Sequence, residues 1–169
     1  MINILFTSAG RRIELIQEFI KARESKGISG KIICADMSEL APALYFADKA
    51  YIIPAIRDSK YIENLLDICK KENISLIIPT IDTELEILSK NIEKFNSINT
   101  DVLVSSLDKV IIAQNKIDTY KFFKSIGIKT PESYEKGMEY IGKFPCFIKP
   151  ISGSSSVNAF KVKNEKELE

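Results

Sequence analysis

Short apolar runs alternate with amphipathic stretches through the first two thirds of the chain, and this alternation limits the fold more than any other feature. Five runs predict strands, at residues 2–7, 31–35, 49–53, 75–78 and 101–105. Strands that are apolar almost throughout, separated by helices, indicate a parallel sheet covered on both faces. The right-handed crossover rule then gives an α/β, doubly wound, Rossmann-like sheet, which collects ligands at the carboxyl ends of its strands.

The pattern changes after about residue 107. Residues 108–126 predict a long helical stretch that is broken near Asn115 and ends at Gly127. A β run at 144–149, a polar loop and an alternating run at 157–163 predict an antiparallel pair. We therefore expect a Rossmann-like domain over residues 1–113 and an incomplete α+β subdomain over residues 114–169.

Charge and histidine content exclude several classes of function. The chain has 24 Lys and Arg residues against 23 Asp and Glu residues, so its net charge is +1 and no basic field exists to bind nucleic acid. The absence of histidine removes Ser-His-Asp and Cys-His catalysis and argues against a structural zinc site. The three cysteines lie within apolar runs, which favours reduced, buried thiols.

The sequence predicts neither a signal peptide nor a membrane span. The N-terminus has no charged region typical of a signal peptide, and no apolar run approaches the length of a membrane span. We therefore expect a cytoplasmic protein with no membrane partner.

The loop that follows the β run at 144–149 is the most informative segment. Lys149 precedes small and hydroxyl residues at 150–156, which can bring backbone N–H and serine O–H groups against phosphate oxygens. The alternative is a flexible polar hairpin with a solvated lysine. Taken alone, the loop leaves both interpretations open.

The order of motifs around this loop resembles the opening of the ATP-grasp domain. Asn115-Lys116 opens a helix, a Gly-Ile-Lys-Thr-Pro connector follows at 127–131, and Phe-Pro-Cys-Phe-Ile-Lys-Pro at 144–150 leads into the Gly/Ser loop. The N-terminal half is similar to the domain that precedes this unit in carbamoyl-phosphate-synthase-like proteins, at residues 7–12, 35–36, 41–43 and 79–85.

The resemblance implies an ATP-dependent ligase that activates a small carboxylate as an acyl-phosphate for attack by an amine. It implies that Lys116 and Lys149 contact ATP phosphates and that the serine-rich loop covers them, through Ser152, Gly153, Ser154, Ser155 and Ser156. It also implies that Mg²⁺ ligands lie beyond residue 169, so that this chain alone is inactive.

Five residues that follow predicted strands are candidates for substrate binding: Gly10, Arg11, Arg12, Asp82 and Glu84. The two arginines begin a helix, where the dipole disfavours cations, which points to an anionic substrate. The two acidic residues would meet a substrate amine, approach the nucleotide, or simply place negative charge at a helix N-terminus. Asp36 would bind a ribose hydroxyl or, more simply, cap the next turn. Gly10 without two further spaced glycines is a weak dinucleotide signature.

A stand-alone Rossmann-like binding module is the competing interpretation, since it needs no further domain. A lone hairpin after residue 137 is marginal in water unless it docks or dimerises, so a homodimer is among the expected partners.

Overall fold

Five parallel strands form one sheet in the computed structural model, which describes residues 1–136, 140, 142–153 and 156–168. The strands are β1 (Asn3–Thr7), β2 (Ile32–Asp36), β3 (Lys49–Ile52), β4 (Ile74–Pro79) and β5 (Asp101–Val102). Their order is β3-β2-β1-β4-β5, and every neighbouring pair is parallel. The predicted doubly wound parallel sheet is confirmed.

Helices cover both faces of this sheet because consecutive strand residues point to opposite sides. Leu5 packs into a core with α2 (Tyr61–Glu72), α3 (Leu85–Lys90) and α4 (Ile92–Asn96), while Phe6 packs into a second core. That second core includes α1 (Ile13–Ser25) and a 3₁₀ turn (Pro42–Tyr45). Both strand faces are therefore buried, as the apolar runs predict.

The strand order creates a topological switch point between β1 and β4. The chain builds β2 and β3 on one side of β1 and then crosses to place β4 on the other side. Connections therefore leave β1 and β4 in opposite directions, which opens a crevice at their carboxyl ends.

The rest of the chain contains two helices and a hairpin. Helix α5 (Leu107–Gln114) and helix α6 (Lys116–Ser125) are separated at Asn115, as predicted. Strands β6 (Cys146–Ile148) and β7 (Phe160–Val162) form the predicted antiparallel pair. Compact units comprise residues 1–107 and 108–169, whereas the predicted domain boundary after residue 113 falls within α5. No helix among the described residues is long and apolar enough to cross a membrane.

Candidate functional site

The crevice between β1 and β4 is built around a buried carboxylate. Glu84 is 0% exposed, and its Oε2 accepts hydrogen bonds from Ser8 Oγ at 3.0 Å and from Tyr61 Oη at 2.6 Å. Its Oε1 accepts from the Thr80 backbone N–H at 3.0 Å. We call Ser8, Tyr61, Thr80 and Glu84 the switch-point cluster. It joins the loop after β1 to the loop after β4.

Both oxygens of the Glu84 carboxylate accept hydrogen bonds within this cluster, and Tyr61 stays protonated. Burial, and then the negative charge of Glu84, raises the pKa of Tyr61. Tyr61 is therefore a hydrogen-bond donor at neutral pH. Thr80 Oγ1 adds a further tie by donating to the Ser8 carbonyl at 2.6 Å.

The loop after β1 turns sharply, with Ser8 and Gly10 both in the left-handed region at φ +50°. Serine adopts this conformation at a cost in energy. The hydrogen bonds of Ser8 with Glu84 and Thr80 help to offset that cost. On the other side, Asp36 Oδ2 accepts from the Gly10 N–H at 2.8 Å, and Asp36 Oδ1 accepts from the Ser38 N–H at 2.9 Å. Asp36 thus caps the local turns, and it uses the Gly10 N–H that a dinucleotide phosphate would need.

The residues predicted to bind substrate are brought to one edge of the sheet, but with different accessibility. Arg11 and Arg12 are exposed on the loop after β1, and Asp82 is exposed on the turn after β4. Gly10 is half-buried. Glu84 lies beneath this surface, so its carboxylate contacts Ser8 and Thr80 rather than the solvent side of the crevice.

Sequence reasoning missed three members of the switch-point cluster. Ser8 and Thr80 directly follow strands, and this position was a usable signal. Tyr61 had none, because it lies in α2 and meets Glu84 only through the fold.

A separate cleft of about 790 Å³ lies within residues 116–168. Its lining includes Lys116 at the start of α6, Lys149 directly after β6, and Ser156. The two lysines predicted to contact phosphate therefore face one cavity. Ser152 and Gly153 belong to the described loop beside it, whereas Ser154 and Ser155 lie outside the described residues.

Glu132, one of the two glutamates that line this cleft, is already paired. The Glu132 carboxylate accepts hydrogen bonds from Lys124 Nζ, at 2.8 Å, and from Tyr120 Oη. Lys124 first, and Tyr120 second, hold the pKa of Glu132 below its ordinary value. The same contacts raise the pKa of Lys124. Glu132 therefore stays ionised and bound to its partners, while Lys116, Lys136 and Lys149 are lysines that line the cavity.

The described part of the chain contains no candidate metal cluster, and two of its cysteines are buried. No group of three or more His, Cys, Asp or Glu side chains there could hold a metal ion. Burial raises the pKa of Cys34 and of Cys69 to about 12, so both stay protonated and inert. Cys146 is half-buried and lines the cleft, which differs from the buried position expected for it.

Comparisons with known proteins match both parts of the chain. The profile of the family described as PylC-like, N-terminal domain, matches residues 4–103. The 3-methyl-D-ornithine–L-lysine ligase of Methanosarcina barkeri is 29% identical over 154 residues, which cover 91% of this chain and 39% of that protein. The formate-dependent phosphoribosylglycinamide formyltransferase of Bacteroides fragilis is 29% identical over 177 residues, covering 100% of this chain and 42% of that protein.

A solved structure gives the same fold. The biotin carboxylase–β,γ-ATP complex from Campylobacter jejuni superposes with a TM-score of 0.67 at 20% identity, covering 98% of this chain and 39% of that one. The chain spans about two fifths of the length of the curated relatives it matches. The predicted superfamily is confirmed: this chain belongs to the PylC-like, N-terminal domain family, within the ATP-grasp superfamily.

Proposed function

We propose that this chain is the N-terminal portion of an ATP-dependent ligase. Such an enzyme activates a carboxylate as an acyl-phosphate, which an amine or a similar nucleophile then attacks. The observation that carries the proposal is the placement of Lys116 and Lys149 on one cleft, where the Glu132 carboxylate is already paired with Lys124. Several lysines on one cavity suit the phosphates of a nucleotide, where charge neutralisation and positioning supply most of the catalysis.

The relatives support this proposal over a stand-alone binding module. The Methanosarcina barkeri relative is named as a ligase, and its similarity covers 91% of the chain, so it extends into the second unit. The Campylobacter jejuni neighbour was solved as a complex with β,γ-ATP. A binding module that consisted of the parallel sheet alone would leave the similarity of the second unit unexplained.

ATP and Mg²⁺ are the proposed cofactors. The described residues suit ATP better than they suit Mg²⁺. Lys116 and Lys149 would hold phosphate oxygens, with the loop of residues 152–156 covering them. ATP would supply the phosphoryl group. The described residues contain no carboxylate cluster for Mg²⁺, so its ligands are proposed to come from other parts of the ligase.

Substrate recognition is proposed to lie at the switch point. Exposed Arg11 and Arg12 suit an anionic group, and Asp82 suits an amine. Gly10 shapes the loop that presents the two arginines. Glu84 acts through Ser8 and Thr80, since its own oxygens are buried and occupied.

The proposed partners are therefore a small carboxylate and an amine. A homodimer and a cytoplasmic location complete the proposal.

Removing the Lys149 charge tests the nucleotide assignment. In the complete ligase, Lys149→Ala should weaken Mg-ATP binding about 10- to 100-fold, because charge-assisted hydrogen bonds contribute about 1.5–3 kcal/mol. Isothermal titration calorimetry measures the change. Lys121→Ala is the matched control, since Lys121 is an exposed lysine of α6 that does not line the cleft. Equal affinity in wild type and Lys149→Ala, with the fold intact, would remove Lys149 from the site.

A further inference from the structure

The floor of the crevice at the switch point consists of three half-buried residues, Ser8 and Gly10 after β1 and Thr80 after β4. Tyr61 and Glu84 lie beneath it and are 0% exposed. A group that enters the crevice therefore meets the two hydroxyls and the backbone of the loop before it can approach the carboxylate. What the floor can donate and accept decides what it can bind.

The partners of the two hydroxyls fix the directions of their hydrogen bonds. Thr80 Oγ1 donates to the Ser8 carbonyl oxygen at 2.6 Å, and a carbonyl oxygen can only accept. Ser8 Oγ donates to Glu84 Oε2 at 3.0 Å, and a carboxylate likewise accepts. A hydroxyl has one proton and two lone pairs, so both protons are already used inside the protein.

The rest of the switch-point cluster keeps these directions in place. The Thr80 N–H donates to Glu84 Oε1, and Tyr61 Oη donates to Oε2 at 2.6 Å. Burial raises the pKa of Tyr61, so its phenol stays a donor. Ser8 therefore cannot turn its proton outward without taking a partner from a buried carboxylate, which is costly.

The backbone of the loop after β1 adds little that an anion could use. The Gly10 N–H donates to Asp36 Oδ2 at 2.8 Å, and the Ala9 N–H donates to the Ala35 carbonyl at 3.2 Å. The Arg12 N–H donates back to the Ala9 carbonyl at 3.0 Å. These three donors are thus occupied within the protein, and the loop does not form an anion-binding nest with them.

The floor therefore presents hydroxyl lone pairs to the crevice. No described residue donates a hydrogen bond to Ser8 Oγ or to Thr80 Oγ1. An ammonium group has three donors that can use these lone pairs, and the negative charge of Glu84 beneath them favours a cation. A carboxylate or a phosphate only accepts, so it would meet lone pairs and a buried negative charge.

We propose that Ser8 and Thr80 are specificity-determining residues that accept hydrogen bonds from an ammonium group of the substrate and exclude an anionic group from the floor. The substrate is thereby oriented, with its amine end inward and its anionic end toward the exposed Arg11 and Arg12 side chains at the rim. This inference rests on the proposed function, which puts substrate recognition at the switch point.

Two probes of similar size and opposite charge test the orientation. Propylammonium and propionate are titrated into the ¹⁵N-labelled 169-residue chain, whose first unit has its own cores, with sodium chloride as the control for ionic strength. Propylammonium should shift the amide resonances of Ser8 and Thr80. Propionate should shift those of Arg11 and Arg12 and leave the floor resonances in place. Equal shifts of the floor resonances with both probes would overturn the proposal.

Thr80→Val keeps the shape of the side chain and removes its oxygen. This variant should raise the Kd of propylammonium about fivefold, the effect of one hydrogen bond, and leave the Kd of propionate unchanged. Thr80→Ser keeps a hydroxyl and should restore the affinity. Thr83→Val is the matched control, since Thr83 is an exposed threonine of the turn that follows. An equal loss for both probes in Thr80→Val would show that Thr80 only holds the loop, and its role in specificity would be wrong.

The outcomes separate this inference from the proposed function. If propionate shifts the rim resonances while propylammonium leaves the floor unchanged, recognition at the switch point stands and the acceptor floor is wrong. If neither probe shifts the floor or the rim, both proposals fail. Should Thr80→Val not fold, which thermal unfolding detects, the comparison of the two probes on the wild-type chain still decides the orientation.

Discussion

At the scale of single residues, the clearest energetic feature is a carboxylate at the end of a helix. Glu72 is the last residue of α2, where the helix dipole disfavours negative charge, yet it is 7% exposed. Lys49 Nζ donates to its Oε1 at 2.6 Å, and Tyr51 Oη donates to the same oxygen. Lys49 first, and Tyr51 second, hold the pKa of Glu72 below its ordinary value, and the pairing raises the pKa of Lys49.

Glu72→Gln should therefore lower the free energy of unfolding at pH 7 by about 1–2 kcal/mol, since Lys49 is partly exposed and its contribution is screened. A carboxyl with a lowered folded pKa stabilises fully above its unfolded pKa, about 4.3, and loses this effect as pH falls through the folded value. The wild-type advantage should thus narrow below about pH 4. Urea unfolding at pH 7 and at low pH measures it.

The matched control is Glu86→Gln, which removes an exposed pair with Lys90 at 2.5 Å and should change stability by less than about 0.5 kcal/mol. If Glu72→Gln and Glu86→Gln lower the free energy of unfolding equally at pH 7, the buried pair stabilises the fold no more than the exposed pair does.

Individual residues also show where sequence reasoning stops. The positions of Lys116 and Lys149 in the fold could be predicted because each lies at the boundary of an element and inside a recognisable motif. The surroundings of Glu84 could not, because its partners Ser8 and Tyr61 are 76 and 23 residues away and only the assembled sheet brings them together. A strand-end position indicates nearness to a crevice, but not whether a side chain faces it or lies beneath it.

At the scale of elements, Asn115 explains why the stretch from 107 to 125 is two helices. Its extended backbone ends the run, and its side chain caps α6. Asn115→Ala should destabilise α6 by about 1 kcal/mol. Hydrogen exchange should accelerate at the Ile117 and Asp118 amides, which lose their acceptor.

Asn115→Asp preserves the acceptor and should keep those amides protected, which makes it the control for Asn115→Ala. Unchanged exchange at both amides in Asn115→Ala would contradict the capping role.

Strand β5 is shorter than the predicted run at 101–105, and the segment after β4 also differs from its prediction. The apolar spacing at 83–95 predicts a single helix, whereas the structure has a 3₁₀ turn, α3 and α4 with a break at Asn91. The Asn91 side chain donates to the Ile87 carbonyl at 2.8 Å and so competes with the helical backbone. Periodicity records which face is apolar, and it is insensitive to such local competition.

At the scale of the whole molecule, the sheet could be predicted because strand type, crossover handedness and burial on both faces follow from local pattern and general rules. We expect the 169-residue chain to fold and to catalyse no ligation. Its first unit has its own cores, but the described residues supply no metal cluster for phosphoryl transfer.

Incubation of the purified chain with Mg-ATP and a panel of carboxylates and amines tests this expectation. Background ADP release, equal with and without substrates, is the expected result. Stoichiometric, substrate-dependent ADP release would show that the catalytic groups are already present.

Two carboxylates hold the loop after β1 in place. This has a consequence for how the fold could come to bind a different ligand. Asp36 and Glu84 fix Gly10 and Ser8 from opposite sides, so the floor of the crevice is set before anything binds. The rim is separate: Arg11, Arg12 and Asp82 are exposed, and surface substitutions usually alter stability by less than about 0.5 kcal/mol. New specificities can therefore be explored at the rim while the floor, and the stability it provides, stays constant.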